Sequence, residues 1–240
     1  MISDLFYLIK FIIFLLILLV ASFFDIRYRI VPPKLWILAL IVLIPLNLYE
    51  FLLFNYDLLN YLISILLTVL ISLALPYLGF GGADSKALIA LALFFPVYPK
   101  FYYFPFFKCF LLPLALVTLI NSVIFAPLIS IYLFIINLKK LGLHNLNVKY
   151  FVGMKVNIEN IPKFCALLEY IDEKGNFKRS LKGVEPSNSI IRNMKEAGIK
   201  EVWITPLLPF IVFITIGYII SVILGNLLFL LLDIIIHSST

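Results

Sequence analysis

Two acidic residues stand where this chain is otherwise apolar. Asp84 closes the run Gly81-Gly82-Ala83-Asp84 between two long apolar stretches, and Asp25 lies where an earlier stretch gives way to Arg27, Arg29 and Lys34. Carboxylates at the edge of a hydrocarbon core are costly, and acids kept there are functional candidates. Brought together, two carboxylates hydrolyse a peptide bond with neither metal nor nucleophilic side chain. Both cannot ionise at short range, so they share one proton: one acts as general base on water while the other donates to the scissile carbonyl. Such a pair titrates as a unit, which leaves the individual roles unassigned. Each acid also has a plainer reading. Asp84 is a good helix cap, and Asp25 is a natural partner for Arg27 or Arg29. It is their common edge and depth that favours a shared site.

The elements that must hold them follow from composition. Of 240 residues, 63% are hydrophobic and 13% charged, with a mean hydropathy of +1.11. Soluble domains carry roughly a quarter charged residues, so bilayer is the natural solvent. About 20 apolar residues are needed to cross it as a helix. Six stretches approach that length: 5–24, 34–53, 58–78, 84–95, 106–138 and 202–236. The fourth is short and ends at Pro96 and Pro99, and Pro206 and Pro209 fall in the first turns of the sixth. The first is longer than a signal-peptide core and is expected to be retained.

The fold expected is therefore an all-α polytopic membrane protein with six transmembrane helices and a small α+β cytosolic insert between helices 5 and 6. Residues 1–138 form membrane helices 1–5 with both aspartates, 139–201 the insert, and 202–240 helix 6. Sidedness follows the basic residues. With the N-terminus outside, Arg27, Arg29, Lys34, Lys86 and every Lys and Arg from Lys139 to Lys200 are cytosolic, leaving Lys10, Lys100 and Lys108 outside. The net charge of +6 then reads as topology and contact with membrane lipid, and no basic–aromatic surface suggests nucleic acid. Within the insert, 164–171 and 177–184 flank a turn at Gly175 and predict a β-hairpin. Ser187 is placed to cap a short helix that Gly198 stops.

Other chemistry is poorly supported. Cys109 and Cys165 lack a CxxC partner, and His144 and His237 are isolated, so neither a metal site nor a cofactor is expected. Asp4, Glu50, Asp57 and Asp233 fall in outer loops or near outer helix ends, where a solvated role is expected. Gly79, Gly81 and Gly82 remove side chains where a substrate backbone must come close, and they permit φ > 0. Lys86 is a candidate for tuning the pair or meeting substrate, although a basic anchor at the membrane edge is its plainer role.

At these residues the chain resembles the type IV prepilin peptidase family of GxGD aspartic proteases, and within it the archaeal preflagellin (archaellin) peptidase branch. The resemblance rests on Asp25-Ile26-Arg27-Tyr28-Arg29-Ile30-Val31-Pro32 with Trp36 behind, and on Gly79-Phe80-Gly81-Gly82-Ala83-Asp84-Ser85-Lys86. Gly153-Met154-Lys155-Val156-Asn157 and Val202-Trp203-Ile204-Thr205-Pro206 with Pro209 extend it over nearly the whole chain. It implies a peptidase that removes a short basic leader from preflagellin or pilin-like precursors at the cytosolic face. Asp25 and Asp84 would be catalytic, with Gly81, Gly82, Ala83 and Lys86 near the substrate, and neither metal nor cofactor taking part. Ala83 departs from the strict motif, which has glycine there. A Cys-rich domain is lacking, which argues against a coupled N-methyltransferase.

Three other readings compete. A presenilin-type protease would use a Tyr-Asp pair, but Tyr56-Asp57 falls in an outer loop. An ion- or proton-coupled transporter would use the carboxylates for its cargo, but such sites lie near the bilayer midplane, often in repeated halves. A plain membrane anchor for the basic insert leaves the paired acidic motifs unexplained.

Overall fold

The computed structural model describes residues 2–53, 58–107, 112–143, 146–172 and 175–238. Tyr56, Asp57, Lys108, Cys109 and His144 lie outside them. In chain order the helices α1 (Ile2–Tyr28), α2 (Pro33–Leu53) and α3 (Leu58–Ala74) come first. A 3-10 turn (Leu75–Leu78) leads to α4 (Gly82–Phe94), α5 (Leu114–Val123) and α6 (Phe125–Leu141). Then follow α7 (Lys149–Val152), β1 (Met154–Asn157), β2 (Cys165–Ile171), β3 (Phe177–Val184), α8 (Asn188–Glu196), β4 (Glu201–Pro206), α9 (Phe210–Ile223) and α10 (Leu227–Ser238). They fall into two compact units, Met1–Phe125 with Pro209–Thr240, and Ala126–Leu208.

Four helical stretches among the described residues are long and apolar enough to cross a membrane: Ser3–Tyr28, Pro33–Leu53, Leu58–Leu78 and Leu114–Leu141. A fifth passes as a broken pair, Phe210–Ile223 and Leu227–Ile236, bent by 58°. The expected helix from residue 202 begins instead at Phe210, because Glu201–Pro206 is a strand. The cause is visible locally. Val202, Trp203 and Ile204 alternate between the two faces of a sheet, and Pro209 delays the helix.

A helix break inside hydrocarbon needs partners for its freed backbone groups. At the α9–α10 bend, buried Asn121 of α5 donates from Nδ2 to Ser221 Oγ (2.8 Å) and Gly225 O (2.9 Å). Its Oδ1 accepts from Leu227 N–H (3.1 Å). Helix α4, of 13 residues, rises about 20 Å and is too short to cross alone. Its late carbonyl Leu93 O accepts from Asn47 Nδ2 at 2.6 Å.

Asn47 belongs to a cluster that corrects one expectation. Glu50 is not solvated: it is buried in α2 and ion-paired with Lys10 of α1, which is 0% exposed. Lys10 Nζ also donates to Asn47 Oδ1 (3.0 Å) and lies over the Phe95 ring, 5.1 Å from its centre. Tyr61 of α3 hydrogen-bonds the Asn47 side chain. Four helices thus meet at one polar knot, in which each charge has an opposite partner that sequence separation concealed.

The second unit is a sheet of order β1-β4-β2-β3 with all pairs antiparallel. The expected hairpin is β2–β3, with Gly175 at φ +80° in its connection. Ser187 Oγ accepts from Ile190 N–H to cap α8. Side chains alternate across the sheet. Cys165, Leu167, Val202 and Ile204 pack with Met194 of α8, whereas Leu168 and Trp203 pack with Tyr150 of α7 and Phe134 of α6. Gly153 is required here, since a Cβ would run into Ile204 O of β4.

The Lys10–Glu50 pair makes a direct prediction. Lys10→Met alone leaves a buried carboxylate without its cation and should cost about 3–5 kcal/mol. The double substitution Lys10→Met/Glu50→Met should recover most of that loss. Thermal melting in detergent checks both, and equal melting of single and double variants would contradict the pairing.

Candidate active site

Asp25 lies in the last turn of α1 and is 9% exposed. Its Oδ2 accepts from the backbone N–H of Ile211 at 3.2 Å. Ile211 is in the first turn of α9, so the carboxylate meets the end of that helix where N–H groups are free and the dipole is positive. One turn further on, α9 is fastened to α1 by hydroxyls. Ser22 and Thr215 share a hydrogen bond of 2.8 Å, and Thr215 Oγ1 also lies 2.9 Å from Ile211 O. With Thr215 donating to Ile211 O, Ser22 donates to Thr215 and every hydroxyl proton in the set is used. Arg29, at φ 56°, ends α1, its N–H bonding to Asp25 O. The Arg29 charge acts on the Asp25 carboxylate.

Asp84 occupies the third position of α4 and is 5% exposed. Its Oδ2 accepts from Gly81 N–H at 2.8 Å, while its own N–H donates to Gly81 O at 3.1 Å. This is the carboxylate half of a capping box; glycine has no side chain to supply the other half, and the backbone Gly81 O accepts instead. Gly79, at φ +94°, is the left-handed residue that turns the chain out of the preceding 3-10 turn. A Cβ on Gly81 would sit 3.2 Å from Asp84 Oδ2.

These two helix N-termini belong together. The Phe80 ring packs edge-on against Phe210, centroids 4.7 Å apart, joining the segment before Gly81 to the first residue of α9. Asp25's charge acts on Asp84, so the two carboxylates lie within electrostatic range. The sequence had paired them by depth alone. The structure supplies what it could not: each is held by a backbone N–H at the start of a different helix. Gly81 and Gly82 are exposed and Ala83 is half-buried, while Lys86, one turn along α4, is exposed on its surface.

Sequence reasoning passed over Ser85, the residue after Asp84, whose Oγ is buried and has no hydrogen-bond partner among the described residues. Its only sequence signal was its place next to the motif aspartate. Ser22 and Thr215 were also missed, being 193 residues apart. Among the described residues no group of three or more His, Cys, Asp or Glu could hold a metal ion.

This geometry coincides with a family assignment. Residues 12–131, which contain both aspartates, match the type IV leader peptidase family, and residues 146–227 match the archaeal peptidase A24 C-terminus type II. The chain is 30% identical to the preflagellin peptidase of Methanococcus voltae over 232 residues, 88% of this chain and 93% of that protein. It is also 31% identical over 169 residues to an uncharacterised protein of Methanocaldococcus jannaschii. That match covers 67% of this chain and spans 56% of that protein's length. The chain belongs to the type IV leader peptidase family.

Gly81→Ala tests the packing of the site. The φ of −73° at residue 81 suits alanine, so thermal stability should be retained. The displaced Asp84 carboxylate should slow leader cleavage about tenfold, since small misplacements of reacting groups are costly. Wild-type turnover in this variant would show that Asp84 tolerates movement.

Proposed function

We propose that this protein is a membrane aspartic endopeptidase that removes the basic leader from a preflagellin or pilin-like precursor at the cytosolic face. The observation that carries this reading is the pair of buried carboxylates within electrostatic range, each held at a helix N-terminus. Asp25 and Asp84 are its catalytic residues. Sharing one proton, the pair deprotonates a water that attacks the scissile carbonyl carbon, and the protonated partner donates to the carbonyl oxygen. The tetrahedral intermediate then collapses: the C–N bond breaks as the leaving amine takes a proton from the pair, and a diol hydroxyl returns its proton to the pair, restoring the shared proton.

Gly81, Gly82 and Ala83 are the close-approach surface for the extended substrate, and Lys86 flanks it. The cytosolic orientation, with six membrane-embedded helices of which α4 is too short to cross alone, is supported by the basic residues. Arg27, Arg29, Lys34, Lys86, Lys139 and Lys140 all fall at one end of the alternating spans. The leader of such a precursor would be met on that side. Both acids lie in terminal helix turns, which suits a boundary hydrolase better than a midplane transport site.

Asp25→Asn and Asp84→Asn should each lower leader removal from a co-expressed preflagellin by at least about 10²-fold, with unchanged membrane insertion. Cleavage by wild-type enzyme should persist in chelator. Full processing by both variants, or loss of cleavage on chelation, would overturn the mechanism.

A further inference from the structure

The second unit carries an apolar surface whose position along α6 identifies its surroundings. Helix α6 ends the Leu114–Leu141 span, and its exposed Leu128, Ile131, Tyr132 and Ile135 form an apolar face. Lys139 and Lys140 close the helix, as basic residues do where a span leaves the hydrocarbon. The chain then turns back along the same helix. Buried Asn137 donates from Nδ2 to Tyr150 O (3.0 Å) and Gly153 O (2.6 Å). Phe151 stacks on Phe134, ring centroids 4.6 Å apart and 8° from parallel. Asn137 and Phe134 precede the helix end by four and seven residues, about 6 and 10 Å of rise. Residues 150–153 are therefore level with the last turns of a span, not beyond it.

Around that level the surface is apolar. Leu143 is 65% exposed, Leu146 51%, Val148 61% and Leu181 67%, with Phe151 at 44%. Val148 and Leu181 line one groove together with Lys149 and Arg179. A water-facing unit has little reason to present these side chains at that depth. Among the charges nearby, Lys149 and Arg179 share the single carboxylate of Glu169, and Lys178 pairs with Asp172 at 2.9 Å. The exposed hydrocarbon of Leu146, Val148, Phe151 and Leu181 therefore lies beside an excess of positive charge, with Lys139 and Lys140 at the helix end.

We infer that Leu146, Val148, Phe151 and Leu181 form an interfacial wedge that sits in the headgroup–acyl boundary beside α6. The occupant of this surface is lipid. Its Phe151 lies level with Phe134, about 7 Å along α6 inside Lys139, within the 5–10 Å that interfacial elements typically bury. Because the contact is apolar, it holds on zwitterionic as well as anionic membranes.

The test measures depth, independently of catalysis. Val148→Cys, Leu181→Cys and a surface control on α8, Ser189→Cys, are made in full-length protein carrying Cys109→Ser. Native Cys165 is buried, and burial pushes its thiol pKa up, so it labels slowly and stays in place. Each variant is tagged with an environment-sensitive fluorophore. It is then reconstituted in phosphatidylcholine vesicles, with and without phosphatidylglycerol. Nitroxide at carbon 5 of the acyl chain should quench positions 148 and 181 at least twofold more than position 189, and aqueous iodide should show the reverse order. The pattern should be the same in both lipid mixtures. Iodide quenching at 148 and 181 equal to that at 189 would overturn the wedge. Protection from both quenchers would overturn it in favour of a protein cover, and quenching by nitroxide only in anionic vesicles would replace apolar insertion with electrostatic attachment.

Discussion

Everything in the membrane unit is arranged around the cost of keeping two carboxylates out of water. An acid in an apolar surrounding needs hydrogen-bond donors that do not themselves have to be desolvated at a further cost. Helix N-termini supply them, since their first N–H groups have no partner inside the helix. Asp84 takes the N–H of Gly81 at the start of α4, and Asp25 takes the N–H of Ile211 at the start of α9. Two helices must therefore begin at the same place. That requirement accounts for the chain reversal at Gly79, the break before α9 at Pro209 and the Phe80–Phe210 contact between them.

The far end of α4 obeys the same rule with the sign reversed. A helix too short to cross leaves carbonyls inside the apolar region, and Asn47 meets one of them at Leu93. Lys10 fixes the orientation of Asn47 by donating to its Oδ1, and Glu50 balances Lys10. Helix α1 thus carries Lys10 toward one end of α4 and Asp25 toward the other. The polar knot and the candidate site are two ends of one solution for holding a short helix beside a long one.

The aspartates were legible in the sequence because acids are conspicuous against apolar runs, and their flanking basic residues gave both the same edge. The β2–β3 hairpin and α8 were legible as well, through turn and cap residues that act locally: Gly175, Ser187 and Gly198. The long-range pairs were not. Lys10 and Glu50, Ser22 and Thr215, and Asn121 with Gly225 are joined only by the packing of helices distant in sequence. Nor did hydrophobicity distinguish β4 from the start of a span. Val202, Trp203 and Ile204 are as apolar as a membrane helix, and only their burial on opposite faces of a sheet separates the two. Ser85 was hidden for another reason: serine beside a motif acid is common, and what sets this one apart is a buried hydroxyl without a partner among the described residues.

The proposed function comes down to one claim, that residues 25 and 84 act on the same water. Cysteines at these two positions, in a background with Cys109 replaced and a protease site introduced between them, report it directly. A short bifunctional thiol reagent applied to native membranes should join the two fragments, so that they migrate together until the link is reduced. Fragments that stay separate, although each cysteine reacts singly with a monofunctional reagent, would contradict a shared site.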